Sequence, residues 1–556
     1  MTDPNRPPEE SDPAPPPPPG GTAGLARASA LMASGTMASR VLGLVRAALL
    51  VTVVGGTGLA ADAFSVANTL PNQINLLLAG GMLNAVLVPQ IVKAAARPDG
   101  GQDYVDRLLT LSLVLMAATT AAAMAAAPLL VALFSDARDP DAVRLAVAFA
   151  YLCLPQIFFY GLYTLLGNVL TARGRFTAFM WAPVLANVVA IAGLAAFWAS
   201  GSPLQAHPRD WTPAMTWLLG GSATLSIVIQ GVFLVIPLRR SGFRYRPRFG
   251  FRGVGLGSAS RVALWSFAAV GVSQLGFIVT SRVLTRASDL ADQRGVVAAG
   301  KASYDNAFLL FMLPHSLITV SLTTALFVRL ATAANRGDEA EVKADLARGM
   351  RMPAPILVPV SLAGPLFAPL VVSVFFGQGP AETSAIAGVL AAMLLGVLPF
   401  GWLYLVNRVY YAYEDARTPF YFQLVVTAVA TAVNLYAFTV PISQTGIWVG
   451  VGQTASNAVG VGVAFYALRR RLGRLGLART WRTYVRLALA SLVAGALVYV
   501  ARLALPEDLS DSRLAAAVVL AGLGIAYLAL AWAIAHRLRV REVGDLLGPV
   551  LRRVRR

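Results

Sequence analysis

Apolar runs of about twenty residues recur between residues 28 and 536, and they leave few folds open. A run of that length crosses the hydrocarbon core of a bilayer as a helix. Lipid offers no partner to backbone N–H and C=O groups, so such runs pair their own backbones and pack as helices. Only 13% of the residues are charged, against about 25% in an ordinary soluble domain. The expected fold class is an all-α polytopic membrane protein of about fourteen transmembrane helices, counted from run length and loop polarity. The expected spans lie near 28–54, 60–93, 105–134, 142–171, 176–200, 213–238, 259–285, 298–332, 342–376, 384–412, 418–440, 445–469, 483–504 and 513–536.

The net charge of +19 is distributed unevenly. Arginines and lysines gather in alternate loops, as at Lys93 and Arg97, Arg173 and Arg175, Arg239 to Arg252, Arg469 to Arg482, and after Arg537. The intervening loops, residues 55–59, 135–141, 377–383 and 443–446, carry few. Basic loops stay on the cytoplasmic side, so both termini are expected in the cytoplasm of a multi-pass protein of the cell inner (plasma) membrane. This pattern accounts for the charge through the lipid bilayer, and no nucleic acid is expected as a partner. Residues 1–24 read as a disordered, Pro-rich cytoplasmic tail without a cleavable signal. Residues 539–556 read either as a basic amphipathic helix on the inner leaflet or as a solvated tail.

Two arginines interrupt the first apolar run, at Ser39-Arg40-Val41-Leu42-Gly43-Leu44-Val45-Arg46. A guanidinium near the bilayer centre costs about 2.5–3.5 kcal/mol on insertion scales. Such a group faces a cavity or snorkels to the headgroups from a helix end, and for Arg40 both readings stay open. Arginine also grips phosphate with paired donors. Six residues of helix separate the two side chains by roughly 120° and about 9 Å, so they share a cavity only if it is wide. Prolines break many of the runs, among them Pro71, Pro89, Pro155, Pro183, Pro314, Pro359 and Pro399, as in transporters whose broken helices line a cavity. The lone Cys153 permits no intrachain disulfide, and His207, His315 and His536 have no partners at metal spacing. There is no catalytic constellation and no nucleotide loop, so a transporter without cofactors is expected rather than an enzyme.

The first run and the stretch after it, Ala61-Asp62-Ala63-Phe64 with Leu70-Pro71-Asn72, resemble the MurJ/MviN family of lipid II flippases. That family belongs to the multidrug/oligosaccharidyl-lipid/polysaccharide exporter superfamily. The resemblance continues through Leu154-Pro155, Gly167, Arg175-Phe176, Ala182-Pro183, Asn187, Val272-Ser273-Gln274, Tyr410 to Pro419 and Asn457. It covers roughly residues 30–535, and the stretch Tyr304 to Pro314 looks like the actinobacterial branch. It implies an N-terminal lobe (25–240) and a C-terminal lobe (241–475), each of six helices, around a central cavity. Two further helices (476–538) would then form a groove for the lipid tail.

The implied function is to flip lipid II, a polyprenyl-diphosphate-linked peptidoglycan precursor, from the inner to the outer leaflet by alternating access. The resemblance places Arg46 and Arg40 against the diphosphate, and Asn72, Asn75 and Gln274 are further candidate substrate contacts. Asp62 and Arg282 are candidate gating residues; Asp62 alternatively caps its own helix. The membrane potential or an ion gradient would drive transport, and the chain is expected to act as a monomer beside cell-wall synthesis proteins. Three departures thin the expected cationic cavity. Ala47 replaces an acidic residue, Asn75 or Leu76 and Gly80 stand where many members carry arginine and glutamate, and Leu309 replaces a further arginine. Two alternatives therefore stay open: a flippase for another polyprenyl-linked glycan, and a transport-inactive paralogue that scaffolds cell-envelope synthesis.

Overall fold

In the computed structural model the described residues are 22–78, 102–173, 175–243, 245–249, 261–504 and 512–544, and they form helices and connecting loops with no strand among them. The Pro-rich tail to residue 21, the later part of the second expected span with Asn84 and Pro89, and the end of the basic C-terminal tail lie outside the described residues. The first half consists of α1 (Thr22–Val54), α2 (Leu59–Leu78), α3 (Gln102–Ala125), α4 (Ala127–Phe134), α5 (Pro140–Cys153), α6 (Gln156–Ala172), α7 (Phe176–Ala199), α8 (Pro213–Phe233) and α9 (Val235–Arg240). The second half begins with α10 (Arg261–Gln293) and α11 (Lys301–Pro314), then a π-helical turn (His315–Val320) and α12 (Ser321–Asn335). It continues through α13 (Glu339–Arg351), α14 (Ala354–Phe376), α15 (Pro380–Leu394), α16 (Val397–Ala412), α17 (Arg417–Tyr436) and α18 (Ile442–Leu472). The chain closes on α19 (Ala478–Leu503) and α20 (Arg513–Arg537).

Among the described residues, 11 helices are long and apolar enough to cross a membrane, or 12 if α15 and α16, bent by 46° at their junction, form one span. The expected count of about fourteen is not reached by this measure. Of the two expected spans not counted, 60–93 is described only to Leu78, as α2, and α18 falls short on apolarity. Both are rich in amides, hydroxyls or glycines, which a helix tolerates where neighbouring helices shield it from lipid. The expected span 342–376 is two elements. Its first part is the charged α13, whose Val342, Leu346 and Met350 are buried on one face, and Pro353 separates it from the apolar α14. The span expected to end near 285 runs on to Gln293, which places Arg286 and Asp289 within the helix.

Of the prolines expected to break the runs, Pro155, Pro314 and Pro399 stand at or beside an interruption, whereas Pro71, Pro183 and Pro359 lie inside continuous helices. At several of these places a side chain from a neighbouring helix covers the carbonyl left free. Proline has no N–H, so the carbonyl four residues earlier loses its donor. Pro359 leaves the Pro355 carbonyl free, and Trp532 Nε1 of α20 donates to it at 2.9 Å. Pro399 likewise frees the Leu395 carbonyl, which takes the Ser361 hydroxyl at 3.2 Å. At the bend between α15 and α16 the Gly396 N–H turns to Met393, and Thr454 Oγ1 covers the Ala392 carbonyl at 2.7 Å. Near Pro155, Thr224 Oγ1 donates to the Leu152 carbonyl at 2.6 Å. The low-dielectric surroundings make each repair worth having.

In the first half α1 packs on α7, α7 on α8, α6 on α8, and α2 on α5. The core there holds Phe64, Phe149 and Phe197, and Trp211 packs edge-on to Phe149 with ring centres 5.4 Å apart. In the second half α10 packs on α17, α17 on α18, α15 on α18 and α14 on α15. The pair α19 and α20 rests on α14. The halves meet chiefly where α2 touches α10 and α11, where α1 touches α14 and where α4 touches α10.

Candidate functional site

The contacts between halves concentrate at one end of the bundle, the end away from the arginine-rich loops. Asp62, in the first turn of α2, is buried, and its Oδ1 accepts the backbone N–H of Ala302 at 2.8 Å. It therefore caps α11 of the other half instead of α2, and it makes no ion pair with an arginine among the described residues. Gly300 permits the approach: a Cβ there would stand 2.2 Å from Asp62 Oδ2. Beside it the fully buried Lys301 pairs with Asp305, which also accepts from Ser65, and its ammonium lies 5.0 Å over the Phe277 ring. The Ser303 hydroxyl donates to the Gly56 carbonyl at 2.7 Å.

A second set of contacts joins α10 to the loop after α4. Arg282 donates to the Ala132 carbonyl at 2.7 Å and to Asp136 Oδ1 at 2.8 Å. Asp289 Oδ1 accepts the backbone N–H groups of Arg138 and Asp139 at 3.1 and 2.9 Å, and Arg286 holds Oδ2 at 2.6 Å. Thr285 Oγ1 accepts the Asp136 N–H at 2.9 Å. Arg513, at the start of α20, adds donors to the Phe376 carbonyl at 2.8 Å and to Thr52 Oγ1 at 3.3 Å. At this end at least three carboxylates sit on backbone N–H groups or guanidinium, charge-assisted bonds that join the two halves.

The two arginines of α1 part company. Arg40 donates to the Ser316 hydroxyl, so it touches the π-helical turn of the other half. Arg46 is half-buried and faces a cavity of about 70 Å³ within the first half, among Asn68, Gln156, Tyr160, Ser222 and Ser226. No carboxylate pairs with Arg46 among the described residues. The wall opposite it is neutral and polar: Gln156 Nε2 donates to Thr224 Oγ1 at 3.0 Å and to Asn68 Oδ1 at 3.4 Å. A guanidinium with free donors in such a setting is arranged for an oxyanion. The cavity holds a few waters, so a larger anion needs it to widen.

The remaining sequence-predicted residues cluster on α2 and α10. Gln274 is buried and donates to Gln73 Oε1 at 3.1 Å. The oxygens of Gln274 and Asn75 are buried without a hydrogen-bond partner among the described residues. Asn72 is exposed. None of the three lines the Arg46 cavity, so the structure does not gather the expected substrate contacts into one site. The pair of Lys301 and Asp305 is legible in the sequence, because a spacing of four residues is that of a helical ion pair. Asp289 went unnoticed, because nothing local shows that its carboxylate meets residues 138 and 139.

Comparison with known proteins follows from this geometry. The family model described as "Lipid II flippase MurJ" matches residues 52–520. A probable lipid II flippase MurJ of Rhizobium meliloti is 26% identical over 530 residues, covering 92% of this chain and 93% of that protein. The lipid II flippase MurJ of Burkholderia cenocepacia is 28% identical over 487 residues, covering 85% and 90%. The fold is similar to that of a lipid II flippase MurJ solved in an inward closed conformation, with a TM-score of 0.70, 16% identity, and coverage of 92% of this chain and 99% of that one. A multidrug resistance transporter of the MATE family, solved facing inward, aligns with a TM-score of 0.57 at 18% identity over 81% of this chain and 99% of that one.

Proposed function

The chain belongs to the lipid II flippase MurJ family, a family of transporters, and from that membership we propose how its residues carry lipid II across the plasma membrane. The cargo moves from inner to outer leaflet by alternating access. The arginine-rich loops mark the cytoplasmic side, so the end closed by Asp62, Arg282 and Asp289 is the outer gate and both termini are cytoplasmic. The observation that carries the site is Arg46, a guanidinium in the first apolar helix facing a polar cavity without a carboxylate partner. A diphosphate supplies the missing anion once the helices spread. Arg40 couples the first helix to the π-helical turn and releases Ser316 when the inner side opens. Asn72, Asn75 and Gln274 offer hydrogen bonds to the uncharged parts of the cargo. The protein works as a monomer. The membrane potential or an ion gradient supplies the drive; one charge moved through 100 mV gains about 2.3 kcal/mol.

The test is complementation. A bacterial host depleted of its resident lipid II flippase receives this chain, and lipid II accessible on the outer face is measured. The expected result is restored export, lost with Arg46→Ala and kept with Arg246→Ala, whose side chain is exposed in a loop. Equal tolerance of both substitutions overturns the assignment of Arg46. Absence of export despite membrane insertion points to another polyprenyl-linked glycan or to a scaffolding role with cell-wall synthesis proteins.

A further inference from the structure

A second pocket, of about 480 Å³, lies in the first half at the arginine-rich end and shares no lining residue with the Arg46 cavity or the closed gate. Its walls are leucines of α3 and α6, Leu109, Leu113, Leu162 and Leu166 among them, and its mouth carries Arg239, Phe243 and Tyr245. Arg239 is exposed and has no carboxylate partner among the described residues. Arg173 lies 4.8 Å over the ring of Phe243 and donates to the Ser241 carbonyl at 3.5 Å. The Tyr245 hydroxyl stands 2.9 Å from Thr110 Oγ1, which fixes the segment after α9 across α3.

An apolar slot with cations at its mouth matches an amphiphile with a hydrocarbon chain and an anionic head. A soluble anion would leave the leucines facing solvent, and a zwitterionic lipid would bring a cation of its own up to the arginines beside its phosphate. We propose that this pocket binds one anionic phospholipid from the leaflet at the arginine-rich end, with an acyl chain among the leucines and the phosphate on Arg239 and Arg173. The leaflet facing the cytoplasm carries the anionic lipids that attract such basic segments. The segment that begins at Ser241 leads from the first half to the second, so the lipid sits at the root of the connection between them. The proposal is independent of which cargo the transporter carries.

The experiment uses the purified full-length protein in detergent, with retained lipid counted by native mass spectrometry during titration with phosphatidylglycerol or phosphatidylcholine. Phosphatidylglycerol is expected to be retained in preference to phosphatidylcholine. Arg239→Gln with Arg173→Gln is expected to weaken retention by about fivefold for each arginine removed. Leu162→Trp, which fills the slot, removes retention while leaving both arginines; it carries the test by the same readout if the double variant does not fold. Glycerol phosphate, a headgroup without chains, does not compete. Equal retention of the two lipids overturns the proposal. So does unchanged retention in the variants, or an equal loss from the control Arg469→Gln with Arg470→Gln at another basic cluster.

Discussion

Asp62 shows how much one side chain can depend on a distant segment. Its carboxylate belongs to the first turn of α2, yet its hydrogen-bond donor is the N–H of Ala302, 240 residues away. Removing it leaves a buried N–H unsatisfied, which costs about 1–3 kcal/mol. Asp62→Ala is therefore expected to speed hydrogen exchange at residues 301–304 by about tenfold. Asp210→Ala, at a more exposed carboxylate, is expected to leave exchange there unchanged. Unaltered exchange in Asp62→Ala would mean that the gate does not rest on this bond. Arg46 is the opposite case, a charge whose partner is missing from the protein itself, and its test belongs with the cargo.

The elements are held by repairs to broken helices. The Pro355 carbonyl has no donor within its own helix because residue 359 is proline, and Trp532 of α20 supplies one. Tyr527 of the same helix donates to the Pro359 carbonyl at 3.1 Å. These bonds tell α20 where to lie along α14, which apolar packing alone does not specify. Trp532→Phe keeps an aromatic ring and removes the donor. It is expected to lower stability by about 1–3 kcal/mol, read as a lower unfolding midpoint in detergent. Trp198→Phe, at an exposed position, is expected to change the midpoint little.

For the whole molecule the question is whether the closed end opens and shuts as a unit. The Arg282 bridge to Asp136 crosses from α10 to the loop after α4, and a covalent link at the same place holds the halves together. With Asp136→Cys and Arg282→Cys combined, a bifunctional thiol cross-linker with a reducible bridge is expected to arrest export of lipid II and reductant to restore it, measured in the depleted host. The single native thiol, Cys153, is fully buried, so it does not confuse the readout. Export that continues while the link is intact would show that this end need not open.

The class of fold was legible in the sequence because a bilayer reads length and apolarity one segment at a time. Helices appear at each expected span that falls among the described residues; the chain breaks near Pro155 and turns π-helical after Pro314, while α2, α7 and α14 run on through Pro71, Pro183 and Pro359. The polar α18 does not pass on apolarity, and its buried glycines and Asn457 pack on other helices. The arginines of α1 were visible as charges needing a reason, and helical geometry already set them on different faces. Their separate destinations, Ser316 for one and the Gln156–Tyr160 cavity for the other, depend on which helices pack beside α1. The same holds for Asp62 and Asp289, whose donors lie 240 and about 150 residues away in the chain. A sequence fixes the local terms, segment hydropathy, proline breaks and charge placement, because each acts within a few turns. Only the tertiary structure decides which orphaned carbonyl, carboxylate or guanidinium meets which partner, because those pairings exist only after the helices have packed.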